Sequence, residues 1–333
     1  MSLRITRGGM LDTIQDLGRY GFQFQGINPG GAMDVVAAQL ANIIAGNTLN
    51  EAVIEMHFPA STFLFEEDVL IALSGGDFGA CINDQPVPVY APIIIKKYST
   101  LHFKKPMDGA RCYLAVHGGF KIPVWLNSYS THLKVVAGGM QGRCLRTNDQ
   151  LVFQRKEDYS ELLKNNDYRI LPWKADHALF YSKKNCIRIS EGTSYQQLAP
   201  SSKSLLVNHT FFITHQSDRM GYRMKGEPLE LQHHEELISS VVVNGTIQLL
   251  PDGQLIILMA DHQTTGGYPV LAHVISADLP ILAQLNSNHQ VQFQMIGHVV
   301  AEQLLLEQHH YLQRIQDACT LRWLAFFQEL NPF

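Results

Sequence analysis

The sequence predicts a mainly β protein with a few helices, arranged as two related β-rich halves. Three observations support this prediction. Short β-like runs are separated by Gly, Pro, Asn and Asp, one amphipathic helix occurs early in the chain, and two short stretches recur in the same order in both halves. The 333 residues are enough for two domains of ordinary size.

The clearest helix prediction covers the stretch DVVAAQLANIIAG in the first half. Its apolar residues Val36, Leu40 and Ile43 recur every three or four positions and therefore share one face. Asp34 is placed to cap the start of this helix, and Gly46 is placed to cap its end.

Six short β-like runs follow this helix, at spacings typical of an antiparallel sheet or barrel. They are AVIEMHF, STFLF, DVLIALSG, PIIIKK, ARCYLAVHGG and QLVFQ. Near residue 155 the sequence becomes charged and poor in periodic strands, which predicts a link between domains. We therefore expect a first domain over 1–160, a linker over 161–185 and a second domain over 186–333.

The strongest local signal of the second half is the stretch SSVVVNGTIQLLPDGQLIILMA. Asn244-Gly245 suits a two-residue type I′ hairpin, and Asp252-Gly253 marks a second turn. These turns predict three consecutive antiparallel strands, the last of which ends at Ala260.

Two helices are predicted towards the C-terminus. Asp278 is a candidate N-cap for a short helix, and the segment from His298 to Leu330 has helical length and spacing. The long helix could pack on a barrel or meet a partner subunit, and packing on a barrel is the favoured prediction.

The two halves carry short stretches that match in the same order. QDLGRYGF at 15–22 aligns with HQSDRMGY at 215–222, and EEDVLIALSGGD aligns without gaps with PDGQLIILMADH. The matches predict duplication of one β-rich domain, with chance agreement as the alternative. Under duplication, SGGDFG at 74–79 is the counterpart of MADHQTTGGYP at 259–269.

Composition and short motifs exclude several functional classes. A formal net charge of −4 offers no basic surface for nucleic acid or anionic membrane, and no apolar run is long enough for a spanning helix. The N-terminus lacks the apolar core of a signal peptide, so we expect a cytoplasmic protein. The sequence contains no P-loop, no dinucleotide fingerprint, no HExxH motif and no GxSxG elbow.

The cysteine and histidine patterns predict no metal site. The five cysteines are scattered and form no CxxC pair, so neither a disulfide framework nor a thiolate zinc site is predicted. The adjacent pairs His233-His234 and His309-His310 place neighbouring side chains on different sides of a strand or helix. We therefore expect a structural or surface role for these histidines.

Three polar clusters are the candidates for chemistry: QDLGR with GAMD, SDRMGYR, and MADHQTTGGYP. Arginine offers a fork of donors for carboxylate or phosphate, Gly-Gly lets backbone N–H groups approach a ligand, and Asp beside Gln and Thr can orient a small amide. The alternative is that each Arg-Asp pair ties down a loop and Gly-Gly makes a tight turn. The candidate substrate-binding residues are Gln15, Asp16, Arg19, Asp34, Asp218, Tyr222, Gln263, Thr264, Gly266, Gly267 and Tyr268.

Several stretches together resemble one known family. They are TIQDLGRYGFQFQGINPGGAMD, AVHGGF, NSYSTHLKVVAGGMQGRCL, SDRMGYRMKG, GTIQLLPDG and LMADHQTTGGYP, which occur in the family's order within residues 4–295. The chain resembles the biotin-dependent carboxyltransferase or allophanate-hydrolase-subunit-2 family. This family includes the C subunit of the ATP-dependent 5-oxoprolinase, KipA and part of the carboxyltransferase region of urea carboxylase.

Three positions depart from the family's pattern. Asn127-Ser128 replaces the usual Gly-Ser, Asn148-Asp149 replaces the usual Gly-Asp, and Tyr20 stands where proline is common. All three departures lie in the first half, so they bring the loop geometry of that half into question.

The resemblance implies two tandem cyclophilin-like β-barrel domains in a chain that acts only with other subunits. The implied partners are a KipI-like B subunit and a LamB/YcsF-like A subunit, and the implied substrate is a small lactam or amide. The implied reaction opens 5-oxo-L-proline to L-glutamate, with ATP and Mg bound in the partner complex and no biotin attached to this chain. The alternatives are carboxyl transfer from carboxybiotin to a urea-like amide, and KipA-like, non-enzymatic binding of a KipI-like kinase inhibitor.

The resemblance also suggests catalytic roles for two residues of the polar clusters. Arg219 is expected to balance the charge of a transferring phosphoryl group. Asp261 is expected to hold a lactam or ureido N–H or a metal-bound nucleotide, while Gln263 and Thr264 position the ring.

Overall fold

The computed structural model describes residues 2–155, 157–164, 166–182, 186–233 and 237–330. It divides into two compact units, each described by itself below. Unit 1 takes its described residues from Met1–Gly18, Asp34–His177 and His310–Phe333, and unit 2 takes them from Arg19–Met33 and Ala178–His309. Of the histidine pairs, His234 lies outside the described residues.

Unit 1 is built from short antiparallel strands and one well-formed helix. Its elements are β1 (Ser2–Arg7), β2 (Thr13–Gln15), α1 (Val35–Ala45), β3 (Val53–Met56), β4 (Thr62–Phe65), β5 (Val69–Asp77), β6 (Ala80–Ile82), β7 (Gln85–Pro86), β8 (Pro92–Ile95), β9 (Thr100–Phe103), β10 (Asp108–Val116), β11 (Gln150–Val152), α2 (Ser160–Leu163) and β12 (Tyr168–Ile170). They form two six-stranded sheets, ordered β11-β1-β4-β9-β6-β7 and β12-β8-β5-β10-β3-β2. Alternate residues of both sheets share one core, which includes Leu3, Phe63, Ile71 and Leu114.

The local predictions for the first half are confirmed. Each of the six β-like runs contains a strand, and α1 begins after Asp34, whose carboxylate accepts a hydrogen bond from the Ala37 N–H at 2.9 Å. Gly46 ends the helix in the left-handed conformation, at φ 73°. The predicted linker is not a separate segment, because β12 within it pairs with β8 of the unit 1 sheet.

Unit 2 is a closed β-barrel with short helices. Its elements are β13 (Cys186–Glu191), α3 (Pro200–Asn208), β14 (Thr210–Ile213), β15 (Gly221–Lys225), β16 (Ser240–Val241), β17 (Thr246–Leu249), β18 (Leu255–Leu258), β19 (Thr265–Gly266), β20 (Val270–Val274), α4 (Leu279–Ala283) and β21 (Gln290–Met295). The barrel closes in the order β13-β20-β17-β18-β15-β14-β21. Two β-rich units with few helices confirm the predicted fold class.

The predicted three-stranded meander is wrong in its first strand. β17 and β18 pair as predicted, but β16 pairs with β19, through Ser240 opposite Gly266 and Val241 opposite Thr265. A type I′ turn needs positive φ at both central residues, whereas only Gly245 of the Asn-Gly pair has it, at φ 87°. The third strand ends at Leu258 instead of Ala260. We call the two-stranded sheet of β16 and β19 the ribbon.

The aligned stretches of the two halves differ in local structure. β5 continues as a strand through Ser74 and Gly75 to Asp77, whereas the aligned chain in unit 2 leaves β18 after Leu258. The loop rich in functional groups therefore belongs to unit 2.

The C-terminal segment forms one long helix, α5 (His298–Leu330), as predicted. The part of α5 from residue 310 onward belongs to unit 1, whereas the predicted second domain ran to residue 333. Packing explains this division, because Trp323 is buried with its ring centroid 5.1 Å from that of Trp173 and 5.9 Å from that of His117. Within the described residues, no helix combines the length and apolar character that crossing a membrane requires.

A buried carboxylate lies near the start of unit 1. Asp12 accepts hydrogen bonds from the backbone N–H groups of Ser61 at 2.6 Å and His57 at 3.2 Å. Burial raises the pKa of Asp12 to about 6, and these hydrogen bonds oppose the rise only in part. Folding therefore leaves Asp12 easier to protonate than in the unfolded chain.

This pKa predicts a pH effect on stability. As the pH falls from 7 to 5, the folded chain takes up a proton at Asp12, whereas the unfolded chain does so only near pH 3.8. The free energy of unfolding of the wild-type chain should therefore rise relative to that of Asp12→Asn, by about 1 kcal/mol. Urea unfolding of both proteins at both pH values measures this difference, and a constant difference would contradict the prediction.

Candidate functional site

The two expected catalytic residues form a buried ion pair in unit 2. Arg219 donates from Nε to Asp261 Oδ2 at 2.8 Å and from Nη2 to Asp261 Oδ1 at 3.0 Å. The side chains are only 5% and 12% exposed. Arg219 precedes β15 and Asp261 follows β18, and these strands are paired, so the barrel places both residues at one end of the same strand pair.

A third charged residue, Arg19, joins this pair around Gly30. A Cβ at Gly30 would lie 2.9 Å from Arg19 Nη1 and 3.7 Å from Asp261 Oδ1, and Gly30 has φ 62°, so glycine alone fits without strain. Arg219 Nη2 also donates to the carbonyl of Gly31 at 2.6 Å. We call Arg19, Arg219 and Asp261 the arginine cluster. Two guanidinium groups and one carboxylate give these three side chains a net charge of +1.

The arginine cluster contains one arginine from each of the two aligned stretches of the sequence. Arg19 and Arg219 occupy equivalent positions in the internal match, yet both belong to unit 2. Both are buried, Arg19 completely. The sequence left two interpretations of such an Arg–Asp pair open, a charged ligand site or an anchor for a loop. The geometry is compatible with both, because the pair carries charge and also ties a loop to the barrel.

Asp261 begins a loop, residues 261–268, which we call the exposed loop because most of the residues after His262 are exposed to solvent. Gln263, Gly267 and Tyr268 are exposed, and Tyr268 exposes 45% of its surface. Thr264 is half-buried, and its carbonyl accepts a hydrogen bond from the Val242 N–H at 3.2 Å. The loop therefore presents amide and phenol groups to solvent on a backbone held by the ribbon.

A buried glutamine beneath this loop was missed by the sequence reasoning. Gln248 on β17 is fully buried, and its Nε2 donates to the Tyr268 carbonyl at 3.4 Å. A Cβ at Gly266 would lie 2.6 Å from that Nε2, so the glycine lets the loop lie directly on the carboxamide. The signal was a polar residue between Ile247 and Leu249 in GTIQLLPDG, which strand alternation assigns to the outer face.

The expected site residues of unit 1 mainly hold the backbone. Asp16 accepts hydrogen bonds from the hydroxyls of Ser128 at 2.7 Å and Ser130 at 2.5 Å, and from the Tyr129 N–H at 2.6 Å. Gln15 is fully buried and donates to Thr13 Oγ1 at 2.9 Å. Together with the helix cap Asp34, these residues favour the interpretation that this cluster ties down loops.

Two of the departures from the family's pattern preserve the backbone conformation. Asn127 and Asn148 both replace glycine, and both adopt positive φ, at 60° and 74°. Asparagine tolerates this left-handed conformation better than other non-glycine residues. The third departure, Tyr20, is 66% exposed. The first two substitutions are therefore compatible with the loop geometry that glycine would give.

The remaining candidates of unit 2 are structural. Asp218 Oδ1 accepts hydrogen bonds from the Met220 N–H at 2.8 Å and the Gly221 N–H at 3.2 Å, which forms an Asx-type turn before β15. Tyr222 is buried in the barrel, and its hydroxyl donates to the Leu285 carbonyl at 3.4 Å. Asp278 precedes α4 as predicted, but its carboxylate pairs with Arg188 instead of capping the helix.

The described part of the chain contains no group of three or more His, Cys, Asp or Glu side chains placed to hold a metal ion. His233, His309 and His310 are exposed. His262, within the exposed loop, is buried, and burial lowers the pKa of its imidazole.

Comparisons with known proteins give a consistent result. The model of a family described as carboxyltransferase domain, subdomain A and B, matches residues 25–295. The 5-oxoprolinase C subunit of Haemophilus influenzae is 36% identical over 304 residues, covering 91% of this chain and 94% of the relative. That of Escherichia coli is 35% identical over 314 residues, covering 94% and 97%. The crystal structure of the Kluyveromyces lactis urea amidolyase has a TM-score of 0.83 and 25% identity, over 94% of this chain and 20% of that one.

The contact between Gly266 and Gln248 can be tested with a matched pair of glycines. Gly266→Ala places a methyl group against a buried carboxamide and should loosen the loop, whereas at Gly267 the nearest atom to a Cβ is Ser239 Oγ at 3.4 Å. Backbone hydrogen exchange should therefore accelerate over residues 264–268 in Gly266→Ala and stay near the wild-type rate in Gly267→Ala. Equal rates in both variants would contradict the predicted contact.

The ion pair can be tested through stability. Arg219→Ala leaves the Asp261 carboxylate buried without its guanidinium, and it removes the donor to the Gly31 carbonyl. We expect a loss of about 3–5 kcal/mol in the free energy of unfolding, measured by chemical denaturation. Arg223→Ala, at an exposed position on neighbouring β15, is the control and should change stability by less than about 0.5 kcal/mol. Similar losses in both variants would contradict the prediction that the ion pair stabilises the fold.

Proposed function

The chain belongs to the carboxyltransferase domain, subdomain A and B, family, and from this premise we propose that it is the C subunit of a cytoplasmic, ATP-dependent 5-oxoprolinase. The observation that carries the proposal is the match to two relatives that are each named as the C subunit of 5-oxoprolinase, at 36% and 35% identity. Each alignment spans more than nine tenths of both chains, so the similarity extends over most of this chain and most of each relative.

The proposed reaction converts 5-oxo-L-proline, ATP and water to L-glutamate, ADP and phosphate. An unstrained lactam is a poor electrophile, so transfer of the γ-phosphoryl group to its carbonyl oxygen makes the ring carbon open to attack by water. The C–N bond then breaks and the nitrogen takes a proton, which leaves an acyl phosphate. A second water hydrolyses this acyl phosphate, forming the side-chain carboxylate of L-glutamate and releasing phosphate. The proposal assigns ATP and Mg to a complex with a KipI-like B subunit and a LamB/YcsF-like A subunit, as the family resemblance implies.

The arginine cluster supports this chemistry by its charge. The substrate carries a carboxylate, and the phosphorylated lactam carries further negative charge, which a cluster with net charge +1 attracts. In the proposal Arg219 balances the charge of the phosphoryl group, and its two hydrogen bonds to Asp261 hold the guanidinium in a fixed orientation. A preorganised charge of this kind needs little reorganisation when the reaction occurs.

The exposed loop supports substrate binding in the same proposal. The side chains of Gln263 and Tyr268 reach solvent, and Gly267 leaves its backbone open to a ligand. Asp261 belongs to both the loop and the arginine cluster, so its ion pair with Arg219 holds the start of the loop in place. We therefore assign ring positioning to Gln263 and Thr264, and charge balance to the cluster behind them.

Carboxyl transfer to a urea-like amide is the second candidate. It is favoured by the TM-score of 0.83 with the urea amidolyase of Kluyveromyces lactis and by 28% identity to the urea amidolyase of Lachancea kluyveri. Those matches cover only 20% and 18% of the urea amidolyase chains. The proposal therefore ranks carboxyl transfer below 5-oxoproline hydrolysis.

Reconstitution tests the proposed function. The chain is combined with KipI-like and LamB/YcsF-like partners, and ATP hydrolysis and glutamate release are measured with and without 5-oxo-L-proline. We expect 5-oxoproline-dependent turnover that disappears when this chain is omitted. Urea with a carboxybiotin carrier is the comparison substrate. Turnover of urea, but not of 5-oxo-L-proline, would replace the proposal with carboxyl transfer. Formation of a stable complex that turns over neither substrate would replace it with KipA-like binding.

A further inference from the structure

Gln248 lies in an apolar environment outside the barrel core. On β17 it is flanked by Ile247 and Leu249, which face the barrel interior, so its side chain lies on the outer face. Its cross-strand neighbours are Ile256 and Val270, members of a small separate apolar cluster. A fully buried carboxamide in such a cluster loses hydration, and each polar atom needs a partner to recover the cost.

Only one of the two polar atoms of Gln248 is satisfied. Nε2 donates to the Tyr268 carbonyl at 3.4 Å, which is long for a hydrogen bond. This contact fixes the orientation of the amide, because a carbonyl oxygen accepts only from the nitrogen. Oε1 is buried and accepts no hydrogen bond from any residue that the structure describes. An unmet buried acceptor costs about 1–3 kcal/mol, so a leucine of similar volume would be the more stable choice for folding alone.

The cover above Gln248 is weakly held. The ribbon pairs only two residues on each strand, and the Val242 N–H to Thr264 carbonyl bond adds to it at 3.2 Å. Val241 on the ribbon is 78% exposed, so its apolar side chain contributes little burial energy. Segments with few backbone hydrogen bonds and little burial open at low free-energy cost. Opening of the ribbon would therefore break few backbone hydrogen bonds, and its main cost would be exposure of Val242, which is buried against Leu258 and Val270.

We propose that Gln248 is a substrate-binding residue whose carboxamide pairs with the amide of a lactam when the ribbon opens. A lactam presents its N–H and C=O on the same side of a small ring. Gln248 Oε1 would accept from the lactam N–H and Nε2 would donate to the lactam oxygen, in place of its long bond to Tyr268. Gly266 keeps side-chain atoms out of the space next to this carboxamide. The inference rests on the proposed function and names the residue that recognises its substrate.

The test exploits the opposite effects expected on stability and on binding. Gln248→Leu removes the unmet acceptor, so its melting temperature should equal or exceed that of the wild type. In the reconstituted complex the same variant should raise the KM for 5-oxo-L-proline by about tenfold or more, since two hydrogen bonds to the substrate are lost. The KM for ATP should not change. Gln248→Met, of similar volume, provides a second apolar variant should the leucine variant fail to fold.

A glutamine on another strand of the same barrel is the control. Gln292 on β21 is exposed and donates to Thr210 Oγ1 at 3.2 Å, so Gln292→Leu should leave both KM values unchanged. A KM for 5-oxo-L-proline that is unchanged in well-folded Gln248→Leu would overturn the inference while leaving the proposed function intact. So would a KM increase accompanied by a fall in melting temperature, because that pattern marks a structural role.

Direct binding separates this inference from the proposed function. Equilibrium dialysis of 5-oxo-L-proline is performed on the wild-type and Gln248→Leu complexes, with L-proline, which lacks the lactam carbonyl, as the comparison ligand. Selective binding of 5-oxo-L-proline that weakens by about tenfold in the variant supports the inference even where no turnover is detected. Equal binding to both complexes, or no binding to either, overturns it.

Discussion

The geometry of the candidate site depends on one interaction, the buried bidentate ion pair between Arg219 and Asp261. Removing two charges from water is costly, and the pair offsets that cost through two hydrogen bonds of 2.8 and 3.0 Å, with a third from Arg219 to the Gly31 carbonyl at 2.6 Å. These bonds fix the ends of β15 and β18 and hold residues 19–33 within unit 2. Because Asp261 is the first residue of the exposed loop, the position of that loop also follows from the pair.

Different residues of MADHQTTGGYP have different roles, some structural and some exposed to solvent. Asp261 is committed to the ion pair, while Gln263 and Tyr268 reach solvent. Gly266 is required for packing, because a side chain there would meet the carboxamide of Gln248. The loop is therefore partly a structural closure over the barrel wall and partly a polar surface. Family resemblance alone does not separate these two roles.

The same distinction applies to the motifs of the first half. QDLGR and NSYSTH are separated by more than a hundred residues, and the carboxylate of Asp16 joins them by accepting from Ser128 and Ser130. Such motifs define a family through its architecture. The motifs of unit 2 carry the charge and the exposed polar groups instead, so we expect substrate specificity within the family to be decided there. The asparagines at 127 and 148 show that a motif residue can change while its backbone conformation stays the same.

Local sequence determined most of the secondary structure, because hydrophobic periodicity, the caps Asp34 and Gly46, and the β-like runs act over a few residues. It also singled out Arg19, Arg219 and Asp261 as candidate site residues, and their role stays a prediction. Only the tertiary structure decided their partners. Sequence spacing does not reveal that Arg19 and Asp261 both lie beside Gly30, or that β16 pairs with β19, since both depend on contacts between distant segments. Gln248 was missed for the same reason: a polar residue on an outer strand face is expected in solvent, and only the ribbon and loop folded over it make it buried.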